Sequence, residues 1–167
     1  MKFLAKRYNR LKTTERKDRM DLSHGIPVSI HLETYVTQEG ETEEHVFNEP
    51  GTIVELNDTL YIRYREINEK EHTDYPVTLK LRGDGDVQLS RGGSNDDMQL
   101  KLHFANEKRI LTQYRTPYGM IPVETITPRL DVRITDDPLA GEIYIEYQLF
   151  ANGETLGNYR MRLLFHA

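Results

Sequence analysis

Cysteine and tryptophan are both absent from this chain of 167 residues. Without cysteine there is no disulfide framework, no thiolate metal ligand and no cysteine nucleophile, so several classes of chemistry are excluded at once. Long apolar runs are also missing. No stretch approaches the length of a transmembrane segment, and the N-terminus lacks the continuous apolar core of a signal peptide. These absences predict a cytoplasmic protein that does not associate with membranes.

Residue patterns typical of catalysis are missing as well. The six histidines lack the short helical spacing of zinc motifs, and no serine lies in a nucleophile elbow. Glu142 and Glu146 alternate with apolar residues, which is typical of the outer face of a strand. The sequence therefore predicts no catalytic residue, no metal ligand and no cofactor, and it favours a non-enzymatic protein.

Charge is divided unevenly along the chain. Residues 1–25 carry eight Lys or Arg against three acidic residues, a net charge of +5, whereas residues 26–167 carry a net charge of −10. The acidic body is a poor surface for nucleic acid, so only the basic leader is a candidate for weak contact with phosphates. Four apolar residues of the leader follow an approximate helical spacing: Phe3, Leu4, Tyr8 and Leu11. Residues 1–25 are predicted to form either a short amphipathic helix or a disordered basic tail.

From Ile26 onwards, apolar and polar residues alternate with a period of two, which is typical of half-buried strands. Turn-forming pairs that accept positive φ separate several of these segments, among them Asn57-Asp58, Asp84-Gly85 and Asn152-Gly153. The alternating segments number eight and begin at Val28, Leu60, Val77, Val87, Met98, Leu130, Ile143 and Tyr159. The pattern predicts one all-β domain at 26–167, with about ten antiparallel strands and no fewer than eight.

A meander of this length can close into a barrel or divide into a two-sheet sandwich. Closure removes the exposed edges and creates one apolar interior, whereas a sandwich needs longer crossovers than most connections here provide. We therefore predict a small antiparallel up-and-down β-barrel.

Five parts of the chain carry a resemblance to a known family: 26–30, 91–92 before 98–104, 114–119, 124–127, and 141–143 leading to 147–149. In these segments the chain resembles the YwiB-like family of uncharacterised bacterial proteins, which is assigned to the calycin-like, or lipocalin-like, β-barrels. The resemblance implies a lipocalin-like barrel and carries over no catalytic residues. Lipocalins proper have a Gly-x-Trp motif near the first strand, and its absence here argues against extracellular transport of apolar ligands.

Two loops are candidates for a binding site. The segment Arg91-Gly92-Gly93-Ser94 is predicted to be either a backbone nest for an anion or a plain flexible loop. In 114–119, Pro117 fixes φ and Gly119 tolerates positive φ, which indicates a hairpin corner, while two tyrosines and an arginine could also stack on a ligand. The predicted ligand-binding residues lie together at one rim of the barrel: Arg91, Tyr114, Arg115 and Tyr118.

These patterns favour a cytoplasmic binding module that takes a small polar or anionic ligand at the barrel mouth. The alternative is a protein or RNA interaction domain that uses the acidic barrel and the basic leader, a hypothesis that depends on the uneven charge.

Overall fold

The computed structural model of the chain describes residues 10–11, 24–93 and 96–167. Within these ranges the regular structure consists of eleven β-strands, without an α-helix. The strands are β1 (Arg10–Leu11), β2 (Ile26–Gln38), β3 (Glu41–Leu56), β4 (Thr59–Asn68), β5 (Thr73–Leu81), β6 (Val87–Arg91), β7 (Gln99–Phe104), β8 (Arg109–Thr116), β9 (Gly119–Asp136), β10 (Leu139–Ala151) and β11 (Glu154–His166). In the described part of the chain, no helix is long and apolar enough to cross a membrane.

Strands β2 to β11 form a closed antiparallel barrel. Each strand pairs with the next one along the chain, and β11 returns to pair with β2 from Asn158↔Thr37 to His166↔Ser29. This is the ten-stranded up-and-down barrel that the alternation predicts, so that prediction is confirmed. Closure leaves β2 and β11 without the free edges that they would have in an open meander.

The turns predicted at Asn57-Asp58 and Asn152-Gly153 have the positive φ that these residue types tolerate. Asn57 and Asp58 both have positive φ, of 50° and 62°, and the pair Asn152 and Gly153 has φ of 53° and 78°. Asn, Asp and Gly tolerate this conformation better than other residues, which is why the chain can reverse tightly between long strands.

The wall is incomplete between β3 and β4. Strand β3 pairs with β2 from Glu41 to Ile53, but with β4 only from Gly51 to Leu56. Pro50, which has no N–H to donate, lies directly before Gly51, the first residue of β3 that pairs with β4. Gly51 is required there because an added Cβ would lie 2.7 Å from the carbonyl oxygen of Arg63. Beyond this point β3 and β4 separate.

The barrel interior changes character along its axis. At the end near the β5–β6 turn it is packed with apolar side chains that are almost inaccessible to water, as at Leu81 and Phe104, which are 0% exposed. Cross-strand pairing over β4, β5, β6 and β7 aligns inward residues in three successive rows. The rows are Leu60-Leu81-Val87-Phe104, then Ile62-Leu79-Leu89-Leu102, then Tyr64-Val77-Arg91-Leu100. Two rows of apolar side chains therefore lie below a third row that contains a tyrosine and an arginine.

Little of the predicted leader is described. Arg10 and Leu11, predicted to belong to a helix or a tail, form β1, which pairs in parallel with β9 through Arg10↔Ile134 and Leu11↔Thr135. The predictions for Phe3, Leu4 and Tyr8 fall outside the described residues.

Candidate functional site

A cavity of about 270 Å³ opens at the end of the barrel where the β2–β3, β4–β5 and β6–β7 connections lie. It occupies the gap that forms where β3 separates from β4. Its lining combines aromatic and hydrogen-bonding side chains, which is typical of small-molecule sites. The lining includes Thr34, Phe47, Glu66, Tyr75, Arg91 and Tyr159.

Strand parity places two charged residues inside the barrel. On β4 the inward positions are Leu60, Ile62, Tyr64 and then Glu66, whose exposed fraction is only 8%. On β6 the inward series of Val87 and Leu89 ends at Arg91. Since inward residues recur every second position, Arg91 lies in the third row, and Glu66 follows Tyr64 as the next inward residue on β4.

Glu66 and Arg91 form an ion pair at the base of the cavity. Nη2 of Arg91 donates to Oε1 of Glu66 at 3.0 Å, and Nε lies 2.9 Å from Oε2. The Nε–H bond does not point at an acceptor, so that donor has no aligned partner. Burial disfavours the charged guanidinium, but the adjacent Glu66 carboxylate outweighs this effect and raises the pKa of Arg91.

Three tyrosines surround the ion pair. Tyr64 is buried, and its hydroxyl has no hydrogen-bond partner. Burial raises the pKa of Tyr64 above its usual value, and Glu66 raises it further. Tyr147 packs against Phe104 of the core, with 4.6 Å between ring centroids, and stacks on Tyr159 with centroids 5.0 Å apart and planes 6° from parallel. Burial also raises the pKa of Tyr147. Tyr64 and Tyr147 therefore remain neutral near pH 7 and supply rings and hydroxyl groups, not charge.

The structure brings together two of the four residues predicted as the binding site. Arg91 pairs with Leu100 across β6 and β7, and Leu100 pairs with Tyr114 across β7 and β8. Arg91 and Tyr114 are thus inward neighbours in one row, two strands apart, which corresponds to roughly 10 Å. Of the pair, Arg91 lines the cavity, whereas Tyr114 packs against the apolar core.

Arg115 and Tyr118 lie apart from this cavity. Arg115 follows Tyr114 and therefore faces the other side of β8, where its Nη2 donates to the carbonyl oxygens of Gly93 at 3.0 Å and Asp96 at 2.9 Å. Tyr118 is 99% exposed at the tip of the β8–β9 hairpin, where Thr116 Oγ1 accepts its backbone N–H. Whether either residue contacts a ligand stays a prediction.

In the anion nest predicted at 91–94, the backbone N–H groups of Gly92 and Gly93 already donate to acceptors within the chain. The N–H of Gly92 donates to the carbonyl oxygen of Pro76 at 2.9 Å, and the N–H of Gly93 donates to the Asp96 carboxylate. Because an internal carboxylate occupies the Gly93 amide, the loop acts here as a structural turn that Arg115 fastens from outside.

Among the residues of the cavity that sequence reasoning missed are Glu66, Tyr147 and Tyr159. The alternation of β4 could have indicated Glu66, since the inward series Leu60, Ile62, Tyr64 reaches it two residues later. A charged residue in the inward phase of a strand marks either a strand end or a polar interior. Sequence alone does not separate the two.

The fold and cavity define a ten-stranded antiparallel barrel with a packed interior at one end and a polar cavity at the other. The chain belongs to the family described as a domain of unknown function (DUF1934), which matches residues 30–163. The crystal structure of the ywiB protein from Bacillus subtilis has the same fold, with a TM-score of 0.70 and 17% sequence identity over 88% of this chain and 95% of that one. No curated protein matches the chain. The resemblance to the YwiB-like family is confirmed.

Proposed function

We propose that the barrel binds a small polar molecule in the mouth cavity. The observation that carries this proposal is the ion pair of Glu66 and Arg91, held inside the barrel beside an unpartnered hydroxyl group of Tyr64. Replacing a buried ion pair by apolar residues of similar volume is often neutral or stabilising, so such a pair is costly as a purely structural device. Placed at the base of an open cavity, it supplies directed hydrogen-bonding groups to a ligand.

Of the two predicted ligand types, the cavity favours an uncharged polar molecule over an anion. Glu66 neutralises Arg91, and Glu71 adds a second carboxylate to the lining. An anion would have to approach these carboxylates or displace Glu66 from the guanidinium, and both changes are unfavourable in a partly desolvated site.

Native mass spectrometry of the protein purified from the organism of origin tests this proposal. Wild-type protein is expected to retain a small noncovalent adduct. Thr34→Trp, which fills the cavity from β2, is expected to remove it. Thr78→Trp, outside the cavity lining, is the matched control and should keep the adduct. An adduct that survives Thr34→Trp, or a wild-type protein without one, would contradict the proposal.

A second candidate function is docking of a basic, extended protein segment along the free edge of β3. Residues 41–50 lack a β4 partner, and an unpaired edge can accept another strand. This segment carries four glutamates and no Lys or Arg, so a basic strand is the complementary partner and RNA is disfavoured.

Peptides with alternating charged and apolar residues distinguish this candidate from ligand binding. A ten-residue peptide of alternating Lys and Val should perturb the backbone amide resonances of residues 41–49, whereas the same peptide with Glu in place of Lys should not. Equal effects of both peptides, or perturbation confined to the cavity, would exclude edge docking.

A further inference from the structure

Aromatic side chains from three parts of the barrel line the mouth cavity. Phe47 lies on β3, Tyr75 on β5 and Tyr159 on β11, and all three are half-buried, so their side chains are accessible from the cavity. Tyr147, on β10, stacks on Tyr159 with ring planes 6° from parallel. The face of an aromatic ring is electronegative and attracts a cation within about 6 Å of its centroid. Aromatic walls of this kind therefore suit an organic cation as well as a neutral ring.

The charged groups of the lining favour the cation of these two ligand classes. Two carboxylates, of Glu66 and Glu71, and one guanidinium, of Arg91, line the cavity, so the lining has a net charge of −1 when histidine is counted as neutral. Arg91 is paired with Glu66, which leaves Glu71 as the lining carboxylate outside that pair. A cation in the cavity is therefore attracted by Glu71, while the repulsion from Arg91 is largely offset by Glu66.

The chain around the cavity mouth carries the same sign of charge as the lining. Residues 38–45, 68–73 and 92–98 include the three connections at this end of the barrel. Four acidic residues lie in the first of these segments and two in each of the others, against a single cation, Lys70. A cleft bordered by one sign of charge raises the local concentration of ligands of the opposite sign. The carboxylates that disfavour an anion in the cavity thus draw a cation towards it.

We propose that the mouth cavity binds a small organic cation, an alkylammonium group carried on an apolar or aromatic stem. The ammonium group lies beside the carboxylates of Glu66 and Glu71, and the stem packs against the aromatic side chains of Phe47, Tyr75 and Tyr159. This inference rests on the proposed function, since it names the charge and the chemical class of the polar molecule in the same cavity.

Three probes of similar shape isolate the effect of charge: benzylammonium, benzyl alcohol and benzoate. Each is titrated into the full chain and followed by NMR of the methionine methyl groups. Met98 lines the cavity, whereas Met120 is 58% exposed on the β8–β9 hairpin, outside the cavity lining, and reports binding elsewhere on the surface. Benzylammonium should give saturable shifts at Met98 but not at Met120, and it should bind about ten-fold more tightly than benzyl alcohol, with benzoate weakest. Raising NaCl from about 20 to about 200 mM should weaken the binding of benzylammonium but not of benzyl alcohol.

Glu71→Gln tests the lining carboxylate outside the ion pair with little risk to folding. Glu71 is exposed in the β4–β5 connection, so stability should stay unchanged. Benzylammonium affinity should fall about three- to five-fold, whereas benzyl alcohol affinity should not change. Glu107→Gln removes the same charge from the β7–β8 connection at the opposite end of the barrel and is the matched control, with no expected loss of affinity.

The outcomes separate this inference from the proposed function. Benzyl alcohol or benzoate binding as tightly as benzylammonium, equal shifts at Met98 and Met120, or unchanged benzylammonium affinity in Glu71→Gln would each overturn the cation class. The cation class also fails if no probe shifts Met98. In all of these cases a native mass spectrometry adduct that Thr34→Trp removes would still support the proposed function, and its absence would overturn both.

Discussion

Disrupting the ion pair of Glu66 and Arg91 should reveal its energetic cost. The two side chains are 10% and 31% exposed, so removing either one leaves the other charge partly desolvated and without its main partner. Breaking a fully buried pair costs about 3–5 kcal/mol, and the greater exposure of Arg91 reduces our expectation to about 2–4 kcal/mol for Arg91→Met or Glu66→Leu. The double variant should lie within about 1 kcal/mol of the wild type, because it leaves no unpaired charge.

Urea unfolding of the wild type, the two single variants and the double variant, followed by circular dichroism and tyrosine fluorescence, gives the coupling energy of the pair. The chain contains ten tyrosines and no tryptophan, so tyrosine is the intrinsic fluorophore. The exposed pair Arg65 and Asp74, with Nε and Oδ1 2.6 Å apart and both side chains 54% exposed, is the matched control. Its coupling energy should stay below about 1 kcal/mol. A coupling for Glu66 and Arg91 no larger than that of the control would refute the argument that the barrel holds a costly buried pair.

Three further predictions concern the rest of the structure. Stability should fall as pH rises above about 10, because buried Tyr64 and Tyr147 keep protons that the unfolded chain releases. Urea midpoints at pH 8 to 11 measure this fall, and Tyr147→Phe should make it shallower. Arg115→Ala should lower stability by about 1–2 kcal/mol and speed amide hydrogen exchange at Gly92, since Arg115 fastens the β6–β7 loop; unchanged exchange would mean that the loop holds itself. Gly51→Ala should cost about 1–3 kcal/mol, since its Cβ would approach Arg63, and an unchanged melting temperature would show that β3 can shift.

The barrel could be predicted from sequence because its signals are local and repeated. Alternation with a period of two fixes which face of each strand is buried, and turn pairs such as Asn57-Asp58 fix where strands reverse. Consecutive hairpins then leave closure of β11 on β2 as the way to remove the remaining edges. The same reasoning could not place Arg10 and Leu11, because a two-residue strand has no periodicity to detect.

The site was harder to predict because it depends on register and on where strands part. Tyr114 and Arg115 were predicted to act together, yet adjacent residues on a strand face opposite sides, and the two here contact the core and the β6–β7 loop respectively. Glu66 and Arg91 are 25 residues apart in the chain and meet only because β5 aligns β4 with β6. Nothing in local composition encodes that alignment, nor the gap that opens at Pro50.

A high-resolution crystal structure of the protein purified from its organism of origin would show most directly whether the mouth cavity is a ligand site. We expect electron density for a small molecule in the cavity, within hydrogen-bonding distance of Glu66 or of the Arg91 guanidinium, and packed against Tyr159. Density for ordered water alone in the cavity would contradict the proposed function.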